Sequence, residues 1–236
     1  MADSYSRAVH DSSERLLASQ RAYYDLRAPD YGELSSPSDR RIRGMIPIEV
    51  ARSVVHDAAL YGDVVELACG PGMFTAELAR RARSVTAVDA SPRMLERNRR
   101  EVRTANVTYI EADLFSWAPD RVYDAVFFGF WLSHVPTVRF AQFWALVATC
   151  IGGDGQVAFV DEDDRAASSD EIKVVDDTPA ASRRLSDGRS FDIVKLYWAP
   201  DDLERHVREL GWDIDVRPVG ATFLYGSGRP SRRPPR

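Results

Sequence analysis

Glu66-Leu-Ala-Cys-Gly-Pro-Gly72 lies between the β-branched pair Val64-Val65 and a helical period that opens near Met73. Two glycines in so short a turn let the main chain pass close to a ligand, and the first amides of the helix that follows point at whatever is bound there. The stretch is read as strand, binding turn and helix. It predicts the first unit of a parallel sheet whose ligands sit beyond the carboxyl ends of its strands.

On either side of this turn, short β-branched or aromatic runs alternate with helical periods, which makes the fold class α/β. Strands are expected at Val64–Ala68, Ser84–Val88, Val107–Ile110, Tyr123–Phe128 and Gln156–Val160. A late strand near Phe191–Tyr197 follows, then a pair near Asp213–Pro218 and Thr222–Tyr225 close enough in sequence to be antiparallel. Ser91 is placed to cap a helix whose first residue is Pro92. Thr137 opens another with an apolar stripe of Phe140, Trp144 and Val147, and Asp201 begins a third that turns Leu203, Val207 and Leu210 to one face and stops at Gly211. One domain is expected over residues 21–227, with an N-terminal extension of uncertain order over 1–20 and a disordered, proline-rich tail over 228–236.

The 236 residues carry 44% hydrophobic and 28% charged side chains, ordinary globular usage, and their net charge of −5 argues against a polyanionic partner such as nucleic acid. The first residues lack the layout of a secretion signal, and the longest apolar run, residues 125–132, is too short to cross a bilayer. A cytoplasmic protein with no membrane partner is expected. Cys69 and Cys150 match no metal spacing and are read as buried thiols. The sequence leaves the oligomeric state open.

The residues just after each strand carry the chemistry. Asp89 ends the second strand 19 residues beyond Gly70, where a carboxylate accepts hydrogen bonds from both hydroxyls of a ribose. The third ends in Glu111-Ala-Asp113-Leu114-Phe115, where an aspartate can meet an adenine amino group and apolar neighbours can enclose the ring. In this order the chain resembles the class I S-adenosylmethionine-dependent methyltransferases, over roughly residues 23–226. The resemblance implies a Rossmann-like, doubly wound seven-stranded sheet, mostly parallel with its last strand antiparallel. It implies S-adenosyl-L-methionine as methyl donor, with contacts from Glu66, Ala68, Gly70, Gly72, Asp89, Ala90, Met94, Asp113, Leu114 and Phe130. A nucleotide-dependent dehydrogenase shares the turn and the acid, but it favours a third glycine where this chain has Thr75 and gives Asp113 no role.

Upstream, Tyr23-Tyr24-Asp-Leu-Arg27-Ala-Pro-Asp-Tyr31 reads by itself as an amphipathic helix on the sheet edge. By resemblance to small-molecule methyltransferases it caps the cofactor, with Tyr24 and Arg27 at the methionine end and Tyr31 as a wall of the acceptor pocket. His134 stands where the fourth strand releases the chain, as a general base, an orienting donor or a structural histidine. The aromatic segment Phe127-Phe-Gly-Phe-Trp-Leu-Ser-His134 lacks the Asn/Asp-Pro-Pro-aromatic pattern of enzymes that methylate bases or glutamine, which favours a small-molecule acceptor.

With Asp-Gly-Arg-Ser-Phe-Asp-Ile-Val-Lys195, that segment resembles the phosphonate O-methyltransferases of dehydrophos-type antibiotic biosynthesis. Arg183 and Lys195 are thereby implied as holders of an anionic phosphonate or carboxylate oxygen. A neutral aromatic or amine acceptor is the alternative, and a non-methylating cyclase or binding module on the same fold is a second. Asp161-Glu-Asp-Asp164 is read as a solvated charge run rather than a Mg²⁺ site, so no metal is expected.

Overall fold

The computed structural model describes residues 2–31, 48–58, 60–169, 171–175 and 177–231. The runs around the glycine turn form β1 (Asp63–Leu67), β2 (Ser84–Asp89), β3 (Val107–Glu111), β4 (Tyr123–Gly129) and β5 (Ile151–Glu162). An insertion follows with β6 (Ile172–Val175), β7 (Thr178–Arg184) and β8 (Ser190–Val194), and the chain closes with β9 (Trp212–Val219) and β10 (Phe223–Pro230). The main sheet has seven strands in the order β3-β2-β1-β4-β5-β10-β9. Strands β1 to β5 pair in parallel, while β10 lies antiparallel to both β5 and β9.

Successive residues of the central strands alternate between two apolar layers, as the period of two demands. Val65, Leu67, Val126, Phe128, Val157 and Phe159 face one layer, while Val64, Ala125, Phe127, Ala158 and Val160 face the other. The first layer is completed by α5 (Phe140–Cys150), with Phe143, Trp144 and Val147, and by Leu203 and Val207 of α6 (Pro200–Glu209). The second takes Val54 and Val55 from α2 (Ile48–Asp57) and Leu78 from the short α3 (Thr75–Ala79). Helices on both faces of a mostly parallel sheet make the expected doubly wound fold.

The helix signals hold with small shifts. The Ser91 hydroxyl accepts from the Met94 amide at 3.1 Å and caps α4 (Pro92–Val102), with Pro92 at its first position. Thr137 opens a single 3-10 turn before α5 rather than α5 itself. Helix α6 starts at Pro200 behind Ala199, so Asp201 is not its cap; Asp201 and Asp202 lie in the first turn, where carboxylates oppose the positive end of the helix dipole. Leu210 leaves the buried stripe, 37% exposed, because the chain turns at Gly211.

Three expectations need correction. The late strand is β8, and it belongs to a separate antiparallel sheet of order β6-β7-β8, because its neighbour β7 lies close in sequence and pairs with it through a short turn. The boundary expected at residue 21 falls inside α1 (Ala2–Arg27), whose Leu16 and Leu17 bury against Ala180 and Val194 of the small sheet. The tail expected from residue 228 does not hold for Gly228, Arg229 and Pro230, which pair with Ile214, Asp213 and Trp212. Residues 232–236 lie outside the described residues. None of the described helices is long and apolar enough to cross a membrane.

Candidate active site

Strand order reverses between β1 and β4, and a cavity opens there beyond the carboxyl ends of the strands, as the topology dictates. Its floor comes from the turn after β1 and the ends of β2, β3 and β4. Its roof comes from α1 and the small sheet. Ala68, at φ +52°, and Phe130, at φ +56°, end neighbouring strands in the left-handed region and both line the cavity. A non-glycine residue held there costs about 1 kcal/mol or more, a strain that clusters at binding sites.

In the turn, Gly70 has φ +52° and open space where a Cβ would stand, so a ligand can lie against its backbone. Gly72 has φ +100°, and a Cβ there would fall 2.6 Å from the Asn98 amide oxygen. Asn98, fully buried on α4, donates to the Gly70 carbonyl at 3.2 Å and to the Thr75 hydroxyl at 2.8 Å, and accepts from the Tyr109 hydroxyl at 3.0 Å. Asp89 takes the Gly70 amide on one oxygen and the Ser91 amide on the other, each at 2.9 Å. Burial raises its carboxyl above the ordinary carboxylate range, against the lowering effect of these backbone donors. Asp113, two residues past β3, lines the same cavity, with the Arg21 guanidinium 2.7 Å away.

Glu66 stands apart from this surface. It lies under the turn, accepts the Thr75 hydroxyl at 2.5 Å, and is pushed up to about 8 by burial, so it is protonated at neutral pH. Unfolded, the same carboxyl ionises several pH units lower, so its burial stabilises the fold in acid and that contribution is lost as pH rises through about 8. Glu66→Gln keeps the acceptor for Thr75 without the charge. We expect it to flatten the fall in Tm between about pH 5 and 8 relative to the parent, and an unchanged slope would assign that fall to other groups.

His134 sits in the single turn after β4 and is nine-tenths buried. Its Nδ1 lies 2.8 Å from the Val194 carbonyl, which can only accept, so Nδ1 carries a proton. Its Nε2 lies 2.9 Å from the Tyr24 hydroxyl, within hydrogen-bond reach. Burial holds Tyr24 far above the ordinary phenol range and keeps it a donor. Gln20 ties the same corner together, donating to the His134 carbonyl and accepting from the Val194 amide. Arg27 donates to the Tyr23 hydroxyl at 2.9 Å and lies 4.7 Å from the Tyr31 ring centre.

Arg183 of β7 and Lys195, just past β8, reach the cavity beside Tyr31. Lys195 is buried, bonded to Glu162 and 3.4 Å from the Ser133 hydroxyl. The acidic run is therefore not solvated: Asp161, Glu162 and Asp163 are buried, and only Asp164 is exposed. Asp161 accepts the Ser133 amide, and Asp163 is held by Arg165. The run is the end of β5, where the small sheet and the turn after β4 cover it.

Of the residues expected to bind cofactor or acceptor, the structure gathers Tyr24, Arg27, Tyr31, Ala68, Gly70, Asp89, Ala90, Met94, Asp113, Leu114, Phe130, His134, Arg183 and Lys195 around one cavity. It leaves Glu66 and Gly72 behind it, shaping the turn. Sequence reasoning missed Gln20, Arg21 and Glu162. The first two fall on the helical spacing that joins Leu17, Gln20, Tyr24 and Arg27, and Glu162 is two residues past the expected fifth strand.

A glycine turn, a carboxylate at the end of β2 and a second just past β3, on a sheet with one antiparallel insertion, define a nucleoside-binding methyltransferase fold. A family model described as a methyltransferase domain matches residues 64–155. The chain belongs to the class I S-adenosylmethionine-dependent methyltransferases, and S-adenosyl-L-methionine is its cofactor. Over nearly its whole length it is similar to DhpI, solved with SAH, at 38% identity and TM-score 0.77, covering 92% of this chain and 98% of that one. The DhpI complex with SAM and HEP gives 39% identity and TM-score 0.79, covering 91% and 98%. A trans-aconitate 2-methyltransferase of Escherichia coli is 36% identical over 77 residues, 31% of this chain and 29% of that enzyme.

Proposed function

We propose that the enzyme transfers the methyl group of S-adenosylmethionine to an anionic oxygen of a small phosphonate or carboxylate, in the cytoplasm. The observation that carries this reading is the convergence of Arg183 and Lys195, from the insertion, on the cavity that holds Gly70 and Asp89. The likeness to DhpI, crystallised with HEP, and to an enzyme named for trans-aconitate supports it.

In this reading Asp89 accepts the ribose hydroxyls, Asp113 and Leu114 receive the adenine, and Gly70, Ala90 and Met94 line the nucleoside. Tyr24 and Arg27 enclose the methionine end, and Phe130 faces the sulfonium. An oxyanion is already a nucleophile, so no base is needed. The protein supplies in-line alignment, an effect of several kcal/mol, and dry walls. His134, with its proton on Nδ1, then orients Tyr24 rather than abstracting a proton.

Incubation with labelled S-adenosylmethionine and a panel of phosphonates, carboxylates, phenols and amines tests the reading by mass spectrometry. Transfer to an acid, unaffected by EDTA, is expected. Arg183→Ala should raise the acceptor KM at least about tenfold while the cofactor Kd stays within about twofold, because a charge-assisted contact is lost on one side only. Equal KM values would remove Arg183 from the pocket. The aromatic wall of Tyr24, Tyr31, Phe115 and Trp131 favours a second reading, a neutral aromatic acceptor, and transfer to phenols alone would select it.

A further inference from the structure

Lys195 is the most buried cation of the cavity, and its charge is already answered. Its ammonium is bonded to Glu162, both side chains are 5% exposed, and it sits 4.8 Å from the Tyr197 ring centre. Glu162 itself lines the cavity, and its charge is felt at Tyr31, another lining residue. Arg183 lines the same cavity and is partly open to solvent. A Lys–Glu pair is close to neutral as a unit, so an anion placed against it meets hydrogen-bond donors from Lys195 with little net charge. A second negative charge on the same group would be forced toward the Glu162 carboxylate in a desolvated setting, where repulsion between like charges is strong.

We propose that Glu162 is a specificity-determining residue that restricts the acceptor site to singly charged oxyanions. Arg183 supplies the net attraction, Lys195 supplies the directed donor, and Glu162 sets the charge the site tolerates. The bland account of Glu162, a counterion that only allows Lys195 to be buried, makes no distinction between mono- and dianions. This inference rests on the anionic-acceptor reading, and its test separates the two.

Ethanesulfonate, a fixed monoanion, and 1,1-difluoroethylphosphonate, a dianion near neutral pH, serve as competitive ligands with S-adenosylmethionine saturating. The quantity read is the ratio of their inhibition constants. Glu162→Gln should shift that ratio toward the dianion by about tenfold or more, and Lys195→Gln, which keeps a donor to Glu162 but removes the cation, should shift it the other way. Loss of folding cannot move a ratio in opposite directions, and the cofactor Kd monitors the rest of the site. If both ligands bind and the ratio stays within about twofold in both variants, Glu162 is only a counterion and the inference fails. If neither anion binds the parent enzyme and no acid is methylated, the anionic-acceptor reading fails first.

Discussion

Asp89→Ala is expected to raise the dissociation constant for S-adenosylmethionine by about 100-fold or more, read by calorimetry, with the far-ultraviolet spectrum unchanged. The carboxylate is proposed to work in two directions. Toward the ligand it accepts the ribose hydroxyls; toward the protein it holds the Gly70 and Ser91 amides, so it fixes the turn the nucleoside rests on. Hydrogen bonds to a charged group are worth about 1.5–3 kcal/mol each, and alanine forfeits them together while leaving two amides unpaired. Asp89→Asn retains an acceptor without the charge and should lie between the two, with a loss near tenfold. An alanine variant within about threefold of the parent would place the ribose elsewhere in the cavity.

Trp144→Ala should remove about 4 kcal/mol of stability and lower Tm by about 8–16 °C. Trp144 is 1% exposed in the middle of α5 and packs on Phe128, Phe159 and Trp212, with ring centres 6.0, 5.9 and 5.1 Å away. The space it fills is bounded by sheet and helix together, so the surrounding groups cannot collapse into it. Its indole N–H has no partner among the described residues, which makes Trp144→Phe the informative companion. That variant loses volume but also removes an orphan donor, and it should cost less than half as much. Equal losses in the two variants would show that the cost does not follow the volume removed.

The main sheet was legible because each of its strands obeys a local rule: two-fold alternation inside, and turn or acidic residues at its carboxyl end. The residues that line the cavity floor followed because in this topology they come directly after a strand. What the sequence concealed depends on contacts distant in the chain. Glu66 reads as a cofactor ligand, yet it is buried inside β1, bonded to Thr75, and does not line the cavity. Asp161-Glu-Asp-Asp164 reads as solvated because nothing local shows that the turn after β4 and the small sheet will cover it. Residues 1–20 look peripheral until Leu16 and Leu17 meet Ala180 and Val194, partners more than 160 residues away.

That last contact governs how the enzyme could be re-engineered. The insertion leaves the main sheet at the end of β5 and returns at α6, so its two ends join an uninterrupted ladder and a foreign insertion could be spliced between them. The roof it forms, however, is completed by α1: Gln20 is threaded between His134 and Val194, and Tyr23 packs on Ala181 and Ile193. A graft of the insertion alone would set an alien sheet against the old helix and strand these groups without mates. In the proposed reading, acceptor preference would move only as a matched pair, first helix with insertion, onto a methyl-donor half that need not change.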